Sequence, residues 1–395
     1  IPNGVTTINI DTFQNCSSLT SINIPSSVRS IGADAFAGCS SLATVFIDSS
    51  TIASGLTSAS VYGGLIANAD IVYIKTGLTP ASWLSANYSK LSASDQSGYD
   101  MYIKGELITD FQFTDNGTTA SLVKYTGSAS RVTIPSTISK RVVGSTAYYI
   151  VGSDLTVTSI ASASSSANGA FYNKTAVKGV TLPSGMATIG NYAFYGAGLE
   201  SISFPSTVTS IGDSAFYGCS GLTGTLTLPA RLTYIGSHAF YNCSGLTGTL
   251  TLPAGVPSIR ILTFYNTGFT KLQFASGSKL TSLGYESFRE SSLAEIDFTN
   301  ATALTEIGHY SFYGCLNLTD VKVPNTVVHI RESAFNHCEN LEEVGIGTNV
   351  TNIETNAFAN CSSLTTVFID SSTIASGLTS ATACGNILAK ADTIY

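Results

Sequence analysis

Histidines, cysteines and carboxylates are the groups through which this 395-residue chain could do chemistry, so their spacing comes first. The four histidines are His238, His309, His329 and His337, and none forms His-Glu-x-x-His or another paired metal-ligand spacing. His337-Cys338-Glu339, beside His329, comes nearest to a ligand set. There is no Gly-x-Ser-x-Gly elbow, no phosphate-binding loop and no Cys-x-x-Cys. The 25 carboxylates contain no pair whose spacing singles it out for acid and base work on a glycoside. No catalytic residue, metal site or cofactor is expected.

Seven of the eight cysteines, Cys16, Cys39, Cys219, Cys243, Cys315, Cys338 and Cys361, each follow a phenylalanine by three positions. Ala197, Thr267 and Ser291 fill the same slot elsewhere, so it demands a small, weakly polar side chain turned inward. Stacked strands lie ~4.8 Å apart, inside the disulfide Cα range. Parallel inward side chains nevertheless favour free packing thiols. Asn-Cys-Ser sequons at Asn15, Asn242 and Asn360 fall at one repeat position and read as turn residues.

The phenylalanine is the pulse of the chain. It recurs at Phe13, Phe36, Phe171, Phe194, Phe216, Phe240, Phe264, Phe288, Phe312, Phe335 and Phe358, spaced 22 to 24 residues within each run. A fixed period of this length means a solenoid that grows by adding turns. The phrase from Ile211 to Pro229 separates into roles: Ile211, Phe216, Cys219, Leu222, Leu226 and Leu228 build the core. Alternation in Leu-x-x-Ile-x-Ile predicts a short strand with positions four and six inward and three and five outward. Pro25, Pro135, Pro183, Pro205, Pro229, Pro253 and Pro324 end it, since proline lacks the N–H that a ladder needs.

Residues 1–74 read as the end of a first array, 75–127 as a capping insert, and 128–395 as a second array truncated at its C-terminal cap. In the insert, Thr79 to Leu91 predicts a short helix with Trp83, Leu84, Tyr88 and Leu91 on one side. A hairpin turning at Asn116-Gly117 follows. The second array is interrupted by irregular sequence from about Gly144 to Ser166. Residues 361–395 closely repeat 39–73, so the sequence is expected to be a piece of a longer protein.

Net charge is −7, and between Glu286 and Glu354 eleven acidic residues face three basic ones. Nucleic-acid binders need clustered Lys and Arg, so that partner class is excluded. No apolar run reaches the ~18 residues of a membrane helix. A surface rich in Ser, Thr, Asn and Gly, with only 11% charged residues, suits an extracellular protein.

The pattern I-G-x-x-A-F-x-x-C-x-x-L-x-x-I-x-I-P, at Ile31–Ile47, Ile189–Pro205, Ile211–Pro229, Ile307–Pro324 and Ile330–Ile346, resembles the BspA-like leucine-rich repeats of bacterial surface proteins. The resemblance implies a β-rich α/β solenoid, right-handed, with one parallel sheet face and short helical or irregular turns. It also implies a secreted or cell-surface protein whose adhesion partner is a protein or glycan, host matrix proteins included. It brings no catalytic motif.

Two surfaces are candidates for that partner. The outward sheet positions run from Ser201, Ser203, Thr225, Thr227, Thr249 and Thr251 to Lys271, Gln273, Glu295, Asp297, Asp320, Lys322 and Glu343. Their acidic end favours basic patches. The second surface is the tyrosine that follows the repeat phenylalanine: Tyr172, Tyr195, Tyr217, Tyr241, Tyr265 and Tyr313. The expected function is binding of a host or microbial macromolecule through a solenoid face. The alternative is a passive spacer or stalk for a functional domain elsewhere.

Overall fold

A turn of 22 to 24 residues buries too little to stand alone, so its structure is decided by the next turn. The computed structural model describes all residues except 92–95, 97–98, 106, 144–145, 378–386 and 388–392. It divides into two compact units, residues 1–109 with 137–155, and 110–136 with 156–395.

In the first unit, Ser21–Ile24, Thr44–Ile47 and Ile71–Lys75 form a parallel ladder. Tyr99–Lys104 then adds antiparallel to Ile71–Lys75, and Tyr88–Lys90 pairs with its other side. The predicted helix is present but short, Ser82–Asn87, because Tyr88 turns extended to enter the sheet. Leu84 and Tyr88 are buried even so, and the Tyr88 hydroxyl donates to the Ala69 carbonyl at 2.8 Å. Thr146–Val151, inside the stretch expected to be irregular, pairs antiparallel with Thr137–Val143, and Gly144 itself lies outside the described residues.

The second unit carries the long array. Phe111–Asp115 and Thr119–Tyr125 form the expected hairpin, with Gly117 at φ 94° in the turn. The Leu-x-x-Ile-x-Ile segments stack as parallel strands: Arg131–Thr133 with Gly179–Thr181, Thr249–Leu252 with Lys271–Phe274 and Glu295–Asp297, and Asp320–Lys322 with Glu343–Ile346 and Thr366–Ile369. Where a proline follows the strand, its carbonyl accepts the N–H three residues on, as in Val208 to Pro205 at 3.1 Å. The stretch after Ser371 opens as the helix Ser372–Gly377, and most of the rest falls on residues that are not described.

The structure adds a second parallel ladder, of two-residue strands ending at the repeat's first apolar position: Ser258–Ile259, Ser282–Leu283, Glu306–Ile307, His329–Ile330 and Asn352–Ile353. Two residues carry too little alternation to register in a sequence. A third column of hydrogen bonds runs through the phenylalanine segment. The N–H groups of Phe194, Phe216, Phe240, Phe264, Phe288, Phe312 and Phe335 each donate to the following turn at 2.7–2.9 Å. Backbone polar groups are thus satisfied on three sides of every regular turn.

Inside, Phe171 to Phe358 form one stack of rings, centroids 4.8–5.6 Å apart. Its first ring is Tyr125, 5.2 Å from Phe171 and buried. The cysteine slot lies beside the stack, with six of the seven described thiols buried, Cys16 exposed, and all seven free. Each buried thiol donates to the phenylalanine carbonyl one turn back at 3.0–3.4 Å. Phe216 C=O, for example, takes the Cys219 N–H at 3.1 Å and the Cys243 thiol at 3.2 Å.

The residue two after the phenylalanine is left-handed in turn after turn: Asn15, Asn242 and Asn360 at φ 56–59°, Gly196, Gly218 and Gly314 at 65–69°. Asn and Gly tolerate that conformation, which accounts for the sequons.

Phe240→Ala is expected to cost ~3–5 kcal/mol in urea unfolding, the range for truncating a buried aromatic. Burial pushes the Cys219 and Cys315 thiols up to about 12, and thiolate is the reactive form. Alkylation of the native protein should therefore label Cys16 rapidly and the six buried thiols only on unfolding. Reducing agent should leave the melting temperature unchanged.

Candidate functional site

Strand pleating turns alternate residues outward, so the expected sheet-face residues surface as rows across neighbouring turns. Lys271, Gln273, Glu295 and Asp297 lie together on one three-stranded ladder, Lys271 in register with Glu295 and Gln273 with Asp297. Asp320, Lys322 and Glu343 lie on a separate ladder. Lys271 Nζ donates to Glu295 Oε1 at 2.6 Å and Gln273 Nε2 to Thr251 Oγ1 at 2.8 Å. Asp297 accepts the Thr299 N–H at 3.0 Å, and hydrogen bonds from Thr299 hold its carboxyl below the usual range. Asp320 stands opposite Glu343, and Lys322 opposite Gly345, so two like charges meet without a cation in register. Ser201 and Ser203 line a shallow groove of about 550 Å³ with Arg131, Thr181 and Phe204.

The tyrosine column is real as geometry. Tyr195, Tyr217, Tyr241 and Tyr265 stack face to face at 4.5 Å, with planes within 8°. Tyr172 joins at 5.9 Å, tilted by 35°. Tyr265 donates its hydroxyl to Glu290 Oε2 at 2.6 Å. In the next turn Arg289 takes the tyrosine slot and lays its guanidinium over Tyr313, 4.6 Å from the centroid. All six rings are half-buried. Because each inner face is covered by its neighbour, the column offers ring edges and hydroxyls to a ligand, not open faces for a sugar to lie on.

A charged cluster on the second ladder has no counterpart among the expected site residues. Arg331 bridges Glu306 Oε2 at 2.6 Å and Glu354 Oε1 at 2.7 Å, and His309 Nδ1 lies 4.0 Å from both Glu332 and Glu354. Its only signal in the sequence is Glu306, Arg331 and Glu354 at neighbouring positions of three successive turns. Burial alone would raise the Glu354 carboxyl, but hydrogen bonds from Arg331 and the Glu332 N–H outweigh it and hold the group below the usual carboxylate range. Cys338 is turned inward to the Phe312 carbonyl at 3.2 Å, away from His337. Among the described residues no three His, Cys, Asp or Glu side chains are placed to hold a metal ion.

Tyr241→Ala removes two stacked pairs, each worth ~0.5–1.5 kcal/mol, and should lower unfolding free energy by at least ~1 kcal/mol. Glu354→Gln should cost about 1 kcal/mol at neutral pH. A depressed folded pKa contributes stability above the unfolded value, lost as pH falls through the folded one. The difference between the two proteins should therefore shrink with acidification from about pH 5 downward, as read by urea unfolding.

The model of the BspA type leucine rich repeat region matches in six copies, over residues 1–59, 164–293 and 258–387. Among solved structures, a leucine rich cell surface protein from Faecalibacterium prausnitzii is 22% identical, with 71% of this chain and 97% of that one covered and a TM-score of 0.32. A leucine-rich repeat protein from Bacteroides ovatus is 22% identical over 67% and 76%, TM-score 0.37. The leucine rich repeat protein of T. pallidum is 23% identical over 66% and 91%, TM-score 0.34. No curated protein matches. With the family pattern running through both units, the chain belongs to the BspA-type leucine-rich-repeat proteins.

Proposed function

We propose that this protein is an extracellular or cell-surface binding protein that holds a protein or glycan partner against the polar face of its parallel strands. The observation that carries the reading is the row Thr249 and Thr251, Lys271 and Gln273, Glu295 and Asp297. It places six hydrogen-bonding or charged groups in register on three adjacent strands. Such a strip offers a flat, regularly spaced surface to an extended partner, and the carboxylates Asp320 and Glu343 extend its acidic character. Electrostatic complementarity of this kind raises association rate and selectivity more than affinity. Family membership supports a surface location.

The test is a binding screen of the whole chain against matrix proteins and glycans, followed by the combined variant Glu295→Lys, Asp297→Lys and Asp320→Lys. A partner should be found, and the variant should bind it at least tenfold more weakly, with a smaller salt dependence. Absence of any partner would leave the spacer reading in its place.

A further inference from the structure

The acidic character of the sheet face has an exception near the start of the long array. Arg131–Thr133, Gly179–Thr181 and Ser201–Ile202 form a three-stranded parallel ladder, and its face holds the groove of about 550 Å³. Two outward rows cross it. Arg131, Gly179 and Ser201 are in register in the first, and Thr133 stands opposite Thr181 in the second, with Ser203 lining the same groove. Such positions lie ~4.8 Å apart across strands and ~7 Å apart along one, a grid the size of a sugar ring.

Three features set this groove apart from the strip at Glu295. Gly179 has no side chain, so the first row is notched at its centre, and Arg131 leans over the notch: a Cβ at Gly179 would lie 3.4 Å from Arg131 Nη1. Among the described residues the Arg131 guanidinium has no hydrogen-bond or ion-pair partner, and no carboxylate lines the groove. Glu200, one position before Ser201, is held by Lys178 at 3.8 Å. The hydroxyls of Thr133, Thr181, Ser201 and Ser203 are without a partner among the described residues as well. Finally, Ile202 and Phe204 line the groove half-buried, where Leu250 and Leu252 of a later strand are 0% and 1% exposed. Residues 225–228 of the following turn form no strand, so the ladder stops at Ser201–Ile202 and leaves both partly uncovered.

We propose that this groove binds an acidic glycan, with the carboxylate of a uronic acid residue on the Arg131 guanidinium and its ring across Gly179. A guanidinium meets a carboxylate with two parallel N–H donors. The four hydroxyls both donate and accept, as those of a sugar do, and Ile202 and Phe204 give its C–H face an apolar floor. A peptide is the poorer occupant, because the central strand Gly179–Thr181 spends its backbone groups on both neighbours and offers no main-chain edge to extend. The groove shares no residue with the strip at Glu295, Asp297 and Asp320 and lies on a separate ladder, so it stands or falls separately from the function proposed above.

The probe is fluorescently labelled trigalacturonate, titrated into the whole protein and read by anisotropy. Saturable binding is expected. Arg131→Gln should weaken it about tenfold, the equivalent of one hydrogen bond to a charged group, and methyl esterification of the probe should do the same. Because both changes remove one contact, the ester should bind Arg131→Gln and the unaltered protein alike. Gly179→Thr, which a strand tolerates and which fills the notch, should also weaken binding, whereas Glu295→Gln should leave it unchanged. Arg131 makes no bond within the protein, so the melting temperature of its variant should not move. No saturable binding at any soluble concentration, binding that Arg131→Gln and esterification leave intact, or equal affinity for a labelled triglutamate peptide overturns the proposal.

Discussion

A benzyl ring stacked on its own copy one turn away is the contact on which this protein depends. The stack from Tyr125 through Phe358 runs the length of the second array, and no ring in it can be buried except by its neighbours. Centroids 4.8–5.6 Å apart match the ~4.8 Å that parallel strands demand. Ring stacking and backbone hydrogen bonding therefore favour the same axial repeat, and neither strains the other. Insertion of one residue, as between Leu222 and Leu226, is absorbed on the strand side while the phenylalanine keeps its place.

Around that stack, residue types that look like chemistry turn out to answer geometry. A carbonyl has two lone pairs, and the phenylalanine carbonyl spends one on the N–H of its own turn and one on the thiol of the next. Cysteine suits that second role, since it is small, apolar enough to bury and still a weak donor. Where Ser291 replaces it, the hydroxyl reaches the neighbouring Cys315 at 3.4 Å instead. The left-handed positions have a similar logic. Asn and Gly recur there because an L side chain resists φ > 0, and the sequons follow as a by-product.

Repetition also turns every outward residue into part of a column. Tyrosines become a stack whose faces are used up on one another, and charges become partners across turns, as in Lys271 with Glu295 or Arg331 between Glu306 and Glu354. Such pairing spreads and neutralises charge that the sequence places in one acidic block. A column must end somewhere, however, and its last strand exposes an edge. The first copy of the repeated stretch meets this with an antiparallel strand and a tyrosine.

The inward pattern was legible in the linear sequence because it is periodic. Phenylalanine at 22 to 24 residues, the cysteine slot three later and the alternating strand residues can be laid over one another without knowing any coordinates, and the hairpin at Asn116-Gly117 is announced by its turn chemistry. The ladder of two-residue strands was hidden, since such short strands exist only through pairing with the adjacent turn. So were the early end of the helix at Asn87, set by the sheet that captures Tyr88, and Tyr125 as first ring of the stack, which comes from a hairpin outside the period. The candidate surfaces could be enumerated as outward positions, but their state could not. Whether a tyrosine shows its face or its edge, and whether a carboxylate is free or paired, depends on the residue one turn away. That distance is ~24 positions in sequence and one strand spacing in space, and only the stacked structure closes it.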